Sequence, residues 1–317
     1  MVLFSTYQEF APDWAHAVQR LIRTSAIGSL YSVQTETQQQ YDDTGKVVFD
    51  DYYNQPDPRM YFTSLGELNY RIAGEAQPVF LQTLKALRET RKITDVKAVD
   101  LGCSYGINAA LMKYDVDLDD LNAHYKDANL DDLNRDEVLE RDVRFFGEHD
   151  MDTRIESIGI DTSANAINYA LDAGLLDEGI IKNLEEQPFD SKEAELLEDV
   201  DLVMSTGCIG YVTEASVGKI LKATGDDRPW MAHAVIRMFP FEPYRELLSE
   251  RGYVTEQLDG TLLQRQFASV AEKKHVLENL EELGIDPEGY ESEGWYHANF
   301  FVSRPVEEAR TPLSISI

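Results

Sequence analysis

The stretch Val99–Met112, VDLGCSYGINAALM, concentrates residues whose types and spacing suit ligand chemistry. A short apolar run ends in Asp100, Gly102 and Gly106 follow, and Ile107 opens a helical pattern. Glycines admit positive φ and close backbone approach, and the first turn of a helix offers N–H groups that lack partners inside the helix. Such a loop gathers amides and one carboxylate at a single point. A dinucleotide fingerprint, G-x-G-x-x-G, needs glycines two and five residues after the first. Those positions hold Ser104 and Ile107, so a pyrophosphate reading fails twice. Asp100 would repel pyrophosphate yet accept from an ammonium, while the helix start takes a carboxylate. A zwitterionic amino-acid tail satisfies both ends.

The elements that must position this loop are legible downstream of residue 95. VKAVDLG, IESIGID, EGIIKNL, DVDLVMSTG and MAHAVIRMF read as five apolar strands, and LLQRQFAS and WYHANFFVSR as two more. Helical patterns lie between them, among them GINAALMKY, SANAINYALDAG, EPYRELLSERG and AEKKHVLENLEELG. Apolar strands alternating with helices mark a mostly parallel sheet covered on both faces. Upstream, residues 12–32 carry Trp14, Val18, Leu21 and Ile22 at helical spacing, and residues 32–53 read as a hairpin around DDTG. Residues 66–90 read as helical with a break at Pro78. These divisions predict an N-terminal cap over 1–94, a core over 95–306 and a tail over 307–317. An acidic insertion, 115–150, interrupts the core; Leu118, Leu121 and Tyr125 share one helical face there, as do Leu139, Val143 and Phe146. A solvated helical flap is the plainer expectation for it, and a cluster binding a cation the sharper one.

VDLGCSYGINAAL resembles the first motif of the class I S-adenosylmethionine-dependent methyltransferases, an acid followed by spaced glycines, with Ser104 as the departure. The resemblance spans roughly residues 95–304. It implies an α/β, Rossmann-like, doubly wound fold: a mostly parallel seven-stranded sheet with an antiparallel last strand. S-adenosylmethionine is the implied cofactor, with Asp100, Gly102, Ser104 and Gly106 at its amino-acid tail. Asp161, followed by Thr162 at the end of the second strand, is the implied ribose ligand. That acid comes about 60 residues after Asp100 rather than the usual ~20, a lag the insertion accounts for. Asn183 and Leu184 after the third strand fall where the family reads adenine. Ser205 and Thr206 at the end of the fourth border the junction of cofactor and substrate.

The cap aromatics Tyr52, Tyr53, Tyr61, Phe62 and Tyr70 are candidate walls and cation–π partners for the sulfonium. Tyr211 is placed beside the substrate, and Arg237 is a candidate clamp for a substrate carboxylate, with a structural ion pair as its alternative. His233 and His297 sit in apolar strand contexts that suit core histidines. A methyl on a sulfonium is already electrophilic, so alignment of the acceptor matters most. The fourth strand ends in STGC where many amide and base N-methyltransferases carry (D/N)PPY, which disfavours a nucleobase acceptor. The formal charge of −29 likewise argues against nucleic acid or anionic membrane as partner.

Two cysteines without a CxxC pair, and six histidines without HExxH spacing, indicate no metal site. No run approaches the roughly 20 apolar residues of a membrane span. A reducing cytoplasm is the expected location. The reading is thus a methyltransferase acting on a hydroxyl, carboxyl or amine of a small molecule, amino-acid-like or a secondary metabolite. Cyclisation of the cofactor, transfer of its aminocarboxypropyl arm, and a non-catalytic cofactor-binding module are the alternatives.

Overall fold

The computed structural model describes Lys46, residues 53–151 and residues 153–317. The chain divides into two units, Met1–Gln39 and Gln40–Ile317, and the described residues all belong to the second. The helix expected over 12–32 lies outside the described residues, as does the hairpin over 32–53 apart from Lys46 and Tyr53.

The strands are β1 (Val96–Leu101), β2 (Ile155–Asp161), β3 (Glu178–Ile181), β4 (Leu202–Thr206), β5 (Trp230–Ile236), β6 (Tyr253–Gln257), β7 (Leu262–Gln266) and β8 (Trp295–Pro305). The described helices begin with α1 (Ile72–Arg91), α2 (Ile107–Lys113), α3 (Leu118–Tyr125), α4 (Arg135–Glu148) and α5 (Ala164–Asp172). They continue with α6 (Ser191–Leu196), α7 (Glu214–Ala223), α8 (Glu242–Glu250) and α9 (Val270–Glu282). The sheet order is β3-β2-β1-β4-β5-β8-β6, with β7 also paired to β8. Strands β1 to β5 are parallel, and β8 runs antiparallel to β5, β6 and β7. This is a Rossmann-like arrangement, with a mostly parallel sheet. Strand order reverses between β1 and β4, which is where open α/β sheets hold ligands.

The sheet has eight strands rather than seven because β8 is long enough, at 11 residues, to pair with two short strands in turn. Its second half pairs with β6, Tyr253 opposite Pro305 through Gln257 opposite Phe301. Its first half pairs with β7, Leu262 opposite Ala298 and Gln266 opposite Trp295. The antiparallel strand is therefore interior, between β5 and β6, and not at an edge.

Every residue of β5 is buried, as a parallel strand covered on both faces requires. On one face α1 packs Val79, Phe80, Leu84 and Leu87 with Trp230, Ala232 and Phe300. This helix, which the sequence groups with the cap, shares the sheet's own core. Pro78 does not break it: the helix runs through with Pro78 inside, because the lost N–H bond is outweighed by the apolar stripe on either side. On the other face α7 and α8 pack Val217, Ile220, Tyr244 and Leu248 with Val203, Met231 and Val235.

A third cluster joins α2, α5, the π-helical turn Tyr61–Leu65 and the acidic insertion. Leu118, Leu121 and Tyr125 of α3 are buried as expected. On α4 the buried residues are Val138, Asp142 and Phe146, whereas Val143 is 45% exposed. The helix is rotated from the expected face because Asp142 has partners inside. Its carboxylate, fully buried, accepts from the hydroxyls of Tyr125 and Tyr169 (2.7 Å for the latter) and meets His124 Nε2 at 2.8 Å. Other acids of the insertion, Asp117, Asp120 and Glu137, form capping boxes with helix starts. The insertion is thus packed into the core rather than solvated all round. Replacing Asp142 by Ala leaves buried hydroxyls without an acceptor, which costs about 2–4 kcal/mol. Denaturant unfolding should show that loss, and an unchanged midpoint would contradict the role given to the insertion.

Candidate functional site

The loop after β1 takes its shape from three left-handed residues in alternation. Gly102, Ser104 and Gly106 have φ of 71°, 49° and 76°, a region that L side chains rarely adopt. At Gly102 a Cβ would also stand 2.7 Å from Cys208 Cβ, so β4's loop approaches to backbone contact. Ser104 occupies the position of the missing glycine and tolerates it, as a small residue can. The amide of Ser104 donates to Asp161 Oδ2 at 2.9 Å, and that of Ser163 to Asp161 Oδ1 at 2.9 Å. The carboxylate at the end of β2 therefore holds the β1 loop. The N-cap of α5 is Ser163, whose side chain accepts from Ala166 N, so Asp161 does not serve as that cap.

Asp100 lies one layer behind the loop. It is 1% exposed; Oδ1 accepts from Asn108 Nδ2 at 3.0 Å, and Oδ2 is buried with no hydrogen-bond partner. Burial pushes its pKa up to about 7; Asn108 opposes the shift and Asp161 adds to it. Asn108 Nδ2 also donates to Thr206 Oγ1 at 3.1 Å. One amide thus ties the ends of β1 and β4 together.

A cavity of about 410 Å³ opens over these strand ends, within the size range of small-molecule sites. Gly102, Ser104, Asp161, Thr162 and Thr206 line it, as do Tyr70 and Tyr211. With Tyr53 and Tyr61, nine residues singled out by the sequence are brought together. Gly106 sits behind, where a Cβ would press on Ala170 and Leu175. Asn183 and Leu184 are not among the wall residues. Asn183 Oδ1 accepts from Glu185 N at 3.0 Å, and Leu184 is packed in the core. Ser205 is not among the wall residues and bonds His233 Nδ1 at 2.7 Å; burial lowers the His233 pKa to about 4, so this histidine stays neutral.

Arg237 does not reach the cavity either. Its guanidinium bonds Glu291 at 2.6 Å and the Asp286 carbonyl at 2.8 Å, and stacks 4.0 Å from the Tyr290 ring centroid. With its donors committed to a partner whose side chain is 1% exposed, Arg237 is the structural ion pair and not the clamp.

Several wall residues were not singled out. Cys103, Asn108, Cys208, Gln264, Arg265 and Lys46 all face the cavity. A polar Gln-Arg pair inside the strand LLQRQ, and Asn in the first turn of an apolar helix, were signals available in the sequence. Lys46 offered none. Of the expected aromatics, Tyr53 and Tyr61 join Tyr70 on the wall. Tyr52 lies outside the described residues, and Phe62 stacks on Tyr125 in the core, 4.2 Å between centroids. Burial pushes the phenols of Tyr53, Tyr61 and Tyr70 upward, so they remain neutral donors. Tyr105, between Ser104 and Gly106, accepts from Gln55 N at 2.8 Å and donates to Gln55 O at 2.9 Å. Ser163 Oγ donates to Asn54 Oδ1 at 3.0 Å. These bonds pin the segment before the π-helical turn across the loop.

No protein-family model matches this chain, and no curated protein matches it. Among solved structures it is similar to the plantazolicin methyltransferase BpumL in complex with SAH, at 11% identity over 81% of this chain and 93% of that one, with a TM-score of 0.41. It is also similar to a TehB-like SAM-dependent methyltransferase from Corynebacterium glutamicum, at 14% identity, 76% and 93% coverage and a TM-score of 0.38. A third is a precorrin-6y C5,15-methyltransferase from Geobacter metallireducens, at 9% identity, 70% and 85% coverage and a TM-score of 0.34.

The buried acid generates a pH prediction. The folded protein keeps the Asp100 proton up to about pH 7, whereas an unfolded chain releases it near pH 4. Stability from this group therefore falls as pH rises through that window, and its full cost is present above pH 7. Asp100→Asn should gain stability relative to wild type on going from pH 5 to pH 8, by about 3 kcal/mol. A stability difference that is flat across that range would contradict the burial argument.

Proposed function

We propose that this chain is an S-adenosylmethionine-dependent methyltransferase acting on a small molecule. The single observation that carries this reading is the convergence of the left-handed loop 102–106 and Asp161 on one cavity at the reversal of strand order, with the Asp100 carboxyl buried behind it. Asp161 is the acceptor for the ribose hydroxyls, with Thr162 beside it. The start of α2 is the place for the carboxylate of the amino-acid tail, since the amides of Gly102, Cys103, Ser104 and Gly106 already donate within the protein. Asp100 lacks a partner for Oδ2, and an ammonium bound on the side of Asn108 would favour the ionisation that burial opposes. That orphan acceptor and the acidic β2 end fit a cationic zwitterion. They do not fit a pyrophosphate.

S-adenosylmethionine supplies a methyl group already activated on a sulfonium. What the chain must do is hold an acceptor in line with it, exclude water and bind the cation. Tyr53, Tyr61 and Tyr70 bring electron-rich faces and neutral hydroxyls to the wall, and their edge-to-face contacts, 5.8 and 5.9 Å between centroids, fix one another. Thr206 to Cys208 form the edge between this half and Tyr211. Asn183 and Leu184, off the wall as described, have no part in holding the adenine in this reading.

Calorimetric titration should show micromolar binding of S-adenosylmethionine and S-adenosylhomocysteine and none of NADH. Asp161→Ala should weaken both by about ten- to a hundred-fold, the loss of charge-assisted hydrogen bonds, whereas Asp161→Asn should lose less. Mass analysis of the incubated mixture separates methyl transfer from cyclisation or aminocarboxypropyl transfer. A protein that binds neither sulfur ligand would overturn the reading.

A further inference from the structure

Resting on the cofactor reading above, we propose that the cavity wall beside the end of β4 is a subsite for the carbonyl oxygen of an uncharged acceptor, a ketone or a carboxamide. The hydroxyl of Tyr70 and the side-chain N–H of Gln264 donate to it. Three features of the wall lead here.

The first is a notch that glycine leaves open. Gly207 follows β4 with a φ of 73° and lines the cavity. A Cβ built on it would stand 2.7 Å from Gln264 Nε2 and 3.7 Å from Tyr70 Oη. An amide nitrogen and a hydroxyl are thus brought to one point at the β4 edge, and a side chain at 207 would displace the amide. The Gly207 N–H is itself committed, donating to the Ala234 carbonyl at 3.1 Å. In the cofactor reading this edge borders the acceptor half, so a carbonyl held there fixes the acceptor for alignment with the sulfonium.

The second is a surplus of donors. Tyr53 and Gln264 both donate to the Tyr70 oxygen. A phenol oxygen has two acceptor positions and one proton, so Tyr70 is left with its proton to give, and Gln264 Nε2 with its second hydrogen. Gln264 is 1% exposed, and its other end, Oε1, is buried without a partner. That orphan acceptor is a cost, which the chain carries while the nitrogen end faces Tyr70.

The third is neutrality. Arg265, next to Gln264 on β7, is matched by Glu272 through both terminal nitrogens, at 2.9 and 2.7 Å. Burial keeps the phenols of Tyr53, Tyr61 and Tyr70 protonated. Neutral donors satisfy a carbonyl oxygen, whereas a carboxylate would give up its hydration for them at a loss. The edge-to-face rings of Tyr53, Tyr61 and Tyr70 offer apolar surface beside the donors, so aromatic carbonyl compounds are suitable probes.

Ligand-observed NMR on the full chain with S-adenosylhomocysteine present tests this with matched probes, acetophenone against ethylbenzene and benzamide against benzoate. Acetophenone should bind about ten-fold tighter than ethylbenzene, the scale of two neutral hydrogen bonds, and benzamide tighter than benzoate. Tyr70→Phe and Gln264→Leu should each lower the acetophenone-to-ethylbenzene ratio about three-fold, one hydrogen bond apiece. Tyr70→Phe keeps the ring, so a folding defect in Gln264→Leu, read by thermal unfolding, leaves the test standing. Equal binding of ketone and hydrocarbon, benzoate binding tighter than benzamide, no probe binding at millimolar concentration, or a ratio unmoved by Tyr70→Phe would overturn the proposal. Titrating S-adenosylhomocysteine into wild-type protein reports on the cofactor separately. Carbonyl preference without that binding leaves the subsite and removes the cofactor reading; binding without carbonyl preference does the reverse.

Discussion

The hydrogen bond from the Ser104 amide to Asp161 sets the geometry on which the site depends. It forms because residues 102, 104 and 106 all take left-handed backbone, which turns the chain sharply from β1 into α2 and presents amides toward the end of β2. A side chain at 102 would collide with Cys208, so the same constraint brings the β4 loop against the β1 loop. From one backbone conformation follow the closeness of three strand ends, the cavity above them, and the burial of Asp100 beneath.

Burial of Asp100 then has consequences in two directions. The carboxylate is held by Asn108, which also binds Thr206, so one amide couples the charge to the β4 edge. Its raised pKa means that the protein carries beneath the cavity a carboxyl that is costly to ionise. The roof has a similar economy. Tyr105 holds Gln55 and Ser163 holds Asn54, so the segment carrying Tyr53 and Tyr61 is fixed by the very loop it covers.

Strands buried on both faces were legible in the sequence because parallel sheets write continuous apolar runs, and β1, β2, β4 and β5 do so. Tyr253–Gln257 was not, since its burial is partial and its residues are mixed; pairing with the far half of β8 makes it a strand. The rotation of α4 was hidden because an acid reads as solvent-facing until its buried hydroxyl partners are known. The loop was legible through its acid and spaced glycines, and Asp161 through the family resemblance, in spite of a spacing that the insertion lengthens. Arg237 was misplaced because nothing local announces Glu291 and Tyr290, which the fold brings from more than fifty residues away. Asn108, Gln264 and Lys46 come to the cavity wall through tertiary neighbours, and those neighbours are what pattern reading lacks.

The most direct test is a crystal structure of the protein grown with S-adenosylhomocysteine. The account requires the ribose hydroxyls on the Asp161 carboxylate, the amino-acid carboxylate at the start of α2, and the ammonium on the side of Asn108 and Asp100. Ligand density elsewhere on the molecule, or with the ribose away from Asp161, would contradict it.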